Sequence, residues 1–236
     1  MKSKIKYSFI TMLISFVMIS ILAGFIIEPD DTPVALIKKV VKDVTYRLDS
    51  DSDVWEDAKA GIPLKDGHEV KTGFKSLALV LFTDGSGVLR VRENSVLQIY
   101  GEKEENRFDK NTYIDKGEVG FEVTKQEDEE FKFTTPTVVA SIRGTAGYVG
   151  VNDDSSTTIM CSHGMIELNA LLGQRQSSSV SGGSTARIGT DGGINVSVSS
   201  GDEQKTFEAS QQTETKKIRI RTNKGDLEIE YIPESE

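Results

Sequence analysis

The sequence predicts an all-β body of short strands, a twisted solenoid-like or jelly-roll-like stack, preceded by a single N-terminal hydrophobic helix. Three observations predict it. From Val34 onward apolar residues recur in short alternating runs rather than at helical spacing. Gly, Asp and Asn punctuate those runs at turn positions. Before them, Phe9 to Ile27 is an uncharged apolar stretch preceded by Lys2, Lys4 and Lys6.

That stretch makes a helix of about 28 Å, enough to cross the hydrocarbon core of a bilayer. Glu28, Asp30 and Asp31 follow at once, and Leu22-Ala23-Gly24 is a poor cleavage site. The reading is an uncleaved signal anchor over 9–27, with a basic cytoplasmic stub at 1–8 and no cytoplasmic domain. The bulk of the chain then lies on the periplasmic or extracellular side of the inner membrane. The alternative is a cleaved signal peptide and a secreted product. Cys161 is the sole cysteine, so the exported part needs an ordinary core in place of disulfides.

The elements follow in order. Asp43 to Ala60 is the one place for a short helix, around Val54–Ala58, with Trp55 set against the core edge. Ser76 to Phe82 is a nearly continuous apolar strand that ends at the turn Thr83-Asp84-Gly85-Ser86. Short strands are expected near Val88–Val91 and Val96–Ile99, then at Thr112–Asp115, Glu118–Thr124, Phe131–Thr134 and Thr137–Ile142. Tyr148–Val151, Thr157–Cys161 and Met165–Ala170 continue the series. This β domain spans 34–172. Residues 173–216 read as a polar extension: a Ser/Gly loop over Gly173–Gly183, two short strands at Ala186–Ile188 and Ile194–Val198, and a linker from Ser199 to Thr215. Residues 217–232 alternate on both sides of Thr222-Asn223-Lys224-Gly225 and predict a hairpin. A lone hairpin is marginal in water, so it must dock on the body or on a partner.

Charge removes one class of function. The net charge is −9 in 236 residues, and the basic residues are scattered, which is unsuited to nucleic acid. No catalytic set stands out. Cys161 and His163 share a face of one strand, yet the alternation makes Cys161 a core position and His163 a turn residue. Two histidines, His68 and His163, and one cysteine cannot build a structural zinc site, and neither Glu127–Glu130 nor Asp153-Asp154 has the spacing of a calcium loop. Neither a metal nor a cofactor is expected. Arg143-Gly144-Thr145 and Gly182-Gly183-Ser184-Thr185 have the residue types of a phosphate cradle, but no helix follows either. Arg-Gly-Thr is therefore read as a strand corner. Thr135-Pro136 marks the break before it, and Arg143 is expected to meet a carboxylate or a cluster of carbonyls.

The order of these pieces resembles a known family. Trp55, Gly61, Gly67 and Thr72 stand in the pattern W-x-x-A-x-x-G-x-x-L-x-x-G-x-x-V-x-T. Asp84-Gly85-Ser86, Gly117, Thr135-Pro136, Arg143-Gly144-Thr145 and Gly164 follow. Together they resemble the FecR domain, over roughly Val34 to Leu172. The resemblance implies an all-β fold and signalling or scaffolding rather than catalysis. In the regulators that name the family, a cytoplasmic N-terminal segment controls a sigma factor, and the few residues before Phe9 have no room for one. The expected function is a non-catalytic, envelope-facing sensor or scaffold that binds a protein partner or a glycan, its oligomeric state open. The alternatives are a carbohydrate-active enzyme, which needs two carboxylates about 5–10 Å apart across a groove, and a purely structural exported protein.

Overall fold

The structure, a computed structural model, describes residues 32–104, 107–125, 129–213, 216–222 and 225–231. The expected membrane helix over 9–27 lies outside the described residues. Among those that are described, no helix is long and apolar enough to cross a membrane.

Seventeen strands and one helix make up the described chain: β1 (Ala35–Val41), β2 (Val44–Arg47), β3 (Glu56–Asp57), β4 (Pro63–Leu64), β5 (Glu69–Thr72), β6 (Leu77–Phe82), β7 (Gly87–Val91), β8 (Val96–Glu104), β9 (Arg107–Val123), β10 (Phe131–Thr134), β11 (Val138–Val151), β12 (Thr157–Ala170), β13 (Ser177–Ser181), β14 (Ser184–Ile188), β15 (Ile194–Val198), α1 (Gly201–Gln211), β16 (Lys216–Thr222) and β17 (Gly225–Tyr231). The first fifteen strands form one continuous ladder, and β16 and β17 form a second sheet of two. Among the described residues the chain is all-β apart from α1.

The ladder is bent, and the pairings show where. The first part of β9 pairs with β8 and, in parallel, with β10; its last seven residues pair with β7 and β11 instead. β11 changes partners in the same way, from β10 to β9, and β12 changes from β14 to β13 along its length. Two arms result. The first runs β13, β12, β11, β10, β9, β8, β5, β2, β3, and the second runs β15, β14, β12, β11, β9, β7, β6, β1, β4. At most of the places where the chain passes from one arm to the other, a residue has positive φ: Lys42 between β1 and β2, Lys75 between β5 and β6, and Asn94 between β7 and β8. Gly117 within β9, Gly144 within β11, Gly164 within β12 and Gly183 between β13 and β14 complete the line.

The arms close over one core. Alternation puts Leu97, Ile99, Ile114, Phe131, Phe133 and Ile166 inward from the first arm. Val80, Phe82, Leu89, Phe121, Val149 and Ile159 point inward from the second. Phe82 and Phe131 meet edge to face with centroids 4.8 Å apart, and Phe121 and Phe133 lie at 4.9 Å, so the arms face each other through aromatic contacts. Burying each such ring contributes about 1.5–3 kcal/mol.

Four sequence expectations are corrected here. Residues 43–60 hold no helix: Tyr46 and Thr45 of β2 pair with Glu56 and Asp57 of β3. Trp55 is not at the core edge but is half-buried with two cations over its ring, the Arg47 guanidinium at 4.7 Å and the Lys71 ammonium at 5.4 Å from its centroid. The Ser/Gly loop contains β13, whose serines pair with Met165–Asn169 of β12 and bury only Val180. The supposed linker from Ser199 contains α1, so the stretch read as a polar extension supplies three strands of the ladder and the helix that crosses it. The C-terminal hairpin is present, with Ile218 opposite Ile229 and Ile220 opposite Leu227.

Candidate functional site

The residues singled out in the sequence gather at the bends and turns. Gly117 (φ 90°), Gly144 (φ 63°) and Gly164 (φ 85°) are the corners of the three long strands. Left-handed backbone admits glycine without a Cβ penalty, so the chain can turn there while the ladder continues. Thr145 is fully buried, and its hydroxyl donates to the carbonyls of Arg143 (3.2 Å) and Met165 (3.3 Å), tying two adjacent corners together. Thr72 is buried beside Ser95, whose N–H donates to its Oγ1 at 3.0 Å. Gly61, Gly67 and Gly85 have positive φ in turns, and Ser86 N–H donates to Asp84 Oδ1 at 3.0 Å.

Thr135 opens the turn between β10 and β11, its N–H donating to Val138 O at 2.9 Å with Pro136 inside the turn. Its hydroxyl lies 2.9 Å from that of Thr157, which lies 2.7 Å from that of Thr137. All three are buried, a polar knot that joins this turn to the start of β12. Arg143 differs from expectation. Its side chain is exposed, and among the described residues no carboxylate or carbonyl receives it. The corner needs the glycine and the threonine, so the arginine is left to face solvent.

Cys161 is fully buried, with its thiol donating to the His163 carbonyl at 3.3 Å. Burial pushes it up to about 11, and His163 is exposed beside Gly164. A thiol so buried and so seldom ionised is no nucleophile. Among the described residues, no group of three His, Cys, Asp or Glu side chains is placed to hold a metal ion.

Sequence reasoning missed two features. Lys110 is 2% exposed and bridges Asp84 (2.5 Å) and Glu129 (2.6 Å), its ammonium 4.7 Å from the Phe108 ring. Burial alone would raise Asp84, but hydrogen bonds from Lys110 and Ser86 hold it below its ordinary range. Nothing in the local pattern marks Lys110, because its partners come from the β6–β7 turn and the segment before β10. Near it, a groove of about 670 Å³ is lined by Asp66, Tyr100, Asp109, Asn111, Glu130 and Lys132, among others. Arg107 pairs with Asp109 and Lys132 with Glu130. The Arg107 hydrogen bond holds Asp109 below the usual carboxylate range, which suits recognition of a polar ligand better than proton donation.

The second missed feature is α1, which packs across the outer side of the second arm. Ser200 and Glu203 form a reciprocal capping box, a signal that the S-x-x-E spacing carries in the sequence. Beneath it, Gly120 leaves room for the helix: a Cβ there would stand 2.5 Å from Ser210 O. Tyr148 and Met160, paired in register on the outward side, are 4% and 3% exposed. Glu118 neighbours them, and burial, opposed by Arg92, pushes its carboxyl up to about 7.

The family and fold comparisons agree with this geometry. The FecR protein family matches residues 68–167. Two crystal structures of a candidate anti-sigma factor from Parabacteroides distasonis share the fold, each at 18% identity and a TM-score of 0.51. Each alignment covers 65% of this chain and 68% of that one. No curated protein matches the chain. The chain resembles the FecR protein family over residues 68–167, a span that holds Thr72, Asp84-Gly85-Ser86, Gly117, Thr135-Pro136, Arg143-Gly144-Thr145 and Gly164, while Trp55, Gly61 and Gly67 lie before it.

Proposed function

We propose that this protein is a membrane-tethered, envelope-facing signalling domain of FecR type that works by binding another envelope protein and performs no chemistry of its own. The FecR match and the fold shared with a candidate anti-sigma factor support a regulatory role. The apolar N-terminal run supports tethering, with the bulk of the chain outside the cytoplasm. One observation carries the binding reading. The hairpin β16–β17 leaves Ile218, Ile220 and Leu227 47%, 44% and 52% exposed on a sheet of only two strands. Two strands cannot bury an apolar face by themselves, and adding a partner's strand supplies both main-chain hydrogen bonds and cover for those side chains.

The test places a photo-crosslinking residue at Ile220 of the full chain in native membranes. An envelope protein trapped by that chain, and no longer trapped when Ile218→Asp is added, is the expected result. Equal trapping with and without Ile218→Asp would refute a role for the hairpin. N-terminal sequencing of the mature protein tests the tether, which a new N-terminus near Gly24 would overturn.

A second reading has its own observation. The groove at Tyr100 sets a half-buried aromatic ring among Asp66, Asn111 and Lys132, the mixture of ring face and planar polar groups that suits a glycan. Calorimetric titration with cell-wall oligosaccharides, against Tyr100→Ala, decides it. Heat of binding that the substitution abolishes favours the glycan, and no heat in either protein removes it.

A further inference from the structure

The outer face of the first arm carries a row of side chains that no charge interrupts. Across β8 to β13 the register sets Gln98 opposite Tyr113, Tyr113 opposite Thr134, and Thr134 opposite Val139. Val139 in turn faces Asn169, and Asn169 faces Ser177. Alternation turns all six away from the core, and each is half-buried or exposed. In a chain that is 28% charged, a solvent-facing row without a single charge stands apart from the rest of the surface. The row ends towards β5 and β2, where Glu69 and Arg47 neutralise each other at 2.7 Å. Five gaps between strands give it a length of about 24 Å. The helix α1 lies against Gly120 and Gly147 of the second arm, so it leaves this face open.

The groups along the row are held in place before any ligand arrives. Tyr100 stands diagonal to Tyr113, because it faces Asn111 while Gln98 faces Tyr113. The Tyr100 hydroxyl donates to Gln98 Oε1 at 2.5 Å, and Gln98 Nε2 donates to Gly67 O at 2.9 Å. Thr134 Oγ1 donates to Asn111 Oδ1 at 2.9 Å, and Ser177 Oγ to Asn169 Oδ1 at 2.8 Å. With their oxygens engaged within the sheet, both carboxamides present N–H donors to an acceptor outside it. Side chains fixed in this way lose little further entropy on binding.

We infer that this row is a track for a neutral polysaccharide, laid across the strands with sugar rings over Tyr113 and Tyr100 and sugar hydroxyls accepting from Asn111 and Asn169. The inference rests on the glycan reading of the neighbouring groove, with which it shares Tyr100 and Asn111, and extends that reading from one end of the face to a chain of several sugars. Amides, hydroxyls and aromatic rings without charge match a chain that is itself uncharged and rich in hydroxyls. A protein partner would find Val139 as the one aliphatic side chain of the row, too little to build the apolar centre of an interface. An anionic polymer would meet no cation on the row and a net charge of −9 on the chain.

Calorimetric titration of the full chain in detergent micelles with cellobiose, cellohexaose and chitohexaose tests this, with polygalacturonate as the charged control. The expected result is that one of the hexamers binds, about ten-fold or more tighter than the disaccharide, with an affinity that added salt does not change. Tyr113→Ala and Asn169→Ala should each weaken that binding by about ten-fold, whereas Tyr113→Phe, which keeps the ring, should retain it. Binding lost in Tyr100→Ala but intact in both Tyr113→Ala and Asn169→Ala would confine the sugar to the groove and overturn the track alone. No heat with any neutral oligosaccharide would overturn the track and the glycan reading of the groove together. Tighter binding of polygalacturonate, lost at high salt, would refute the neutral ligand.

Discussion

Replacing the corner glycines of the long strands one at a time by alanine should give three graded losses of stability. Gly144 has φ 63°, within the left-handed well, and an added Cβ would meet only Lys125, its Cβ at 3.2 Å and its backbone in ordinary contact at 3.5 Å and beyond. Left-handed backbone costs a non-glycine residue about 1–2 kcal/mol, and the stiffer unfolded chain returns roughly 0.5 kcal/mol, so a net loss of about 1 kcal/mol is expected. At Gly164 the Cβ would stand 2.7 Å from Gly144 O and 2.9 Å from Thr145 Oγ1. Relieving that contact disturbs the hydroxyl joining two corners, adding roughly 1–2 kcal/mol. At Gly117, with φ 90°, the Cβ would lie 2.2 Å from Ser95 Oγ and 2.5 Å from its Cα. Ser95 cannot move without weakening three hydrogen bonds, from its N–H to Thr72 Oγ1, from Glu118 N–H to its Oγ, and from its Oγ to Glu118 O. With strain included, the loss there should exceed about 4 kcal/mol. Equilibrium urea unfolding with an unchanged m value measures all three. Losses of equal size, or a Gly144→Ala loss matching that of Gly117→Ala, would refute the steric account of the corners.

Other outcomes follow from single side chains. Lys110→Met leaves Asp84 and Glu129 without their cation and should cost about 3 kcal/mol by urea unfolding, with part of it recovered when Asp84→Asn is added. Because the Asp84 pKa is depressed in the fold, its contribution is present above its ordinary 3.8 and should fade as pH falls through the lower folded value, which acid titration followed by circular dichroism detects. Cys161, buried and pushed up to about 11, should resist alkylation at neutral pH until urea unfolds the chain; prompt labelling of the native protein would contradict its burial. Arg143→Ala should change stability by no more than about 0.5 kcal/mol, since the side chain is exposed at its corner.

The all-β class, most strand positions and the corner at Gly144 were legible because they rest on local chemistry. Alternation marks a strand with one face in a core, and Asp-Gly or Arg-Gly-Thr marks a place where backbone must turn. The helix α1 was legible in principle through Ser200 and Glu203, but its low apolar content resembles that of a linker, and only packing against Gly120 makes it an element. Trp55 shows the opposite error. Nearby residues suggest a helix, whereas Arg47 and Lys71, brought in by β2 and β5, hold the ring in place.

By itself, then, the sequence determined a β-rich domain behind an apolar N-terminal run, the family its motifs resemble, and the residues able to turn the chain. Periodicity, charge and backbone freedom are properties of neighbouring residues, so they can be read in order. Tertiary structure alone decided that three long strands each belong to two arms, that Lys110 is caged by Asp84 and Glu129, and that Gly120 lies against Ser210 of a helix far along the chain. These features join segments far apart in the chain, and the fold brings each side chain into the dry or charged surroundings that set its behaviour.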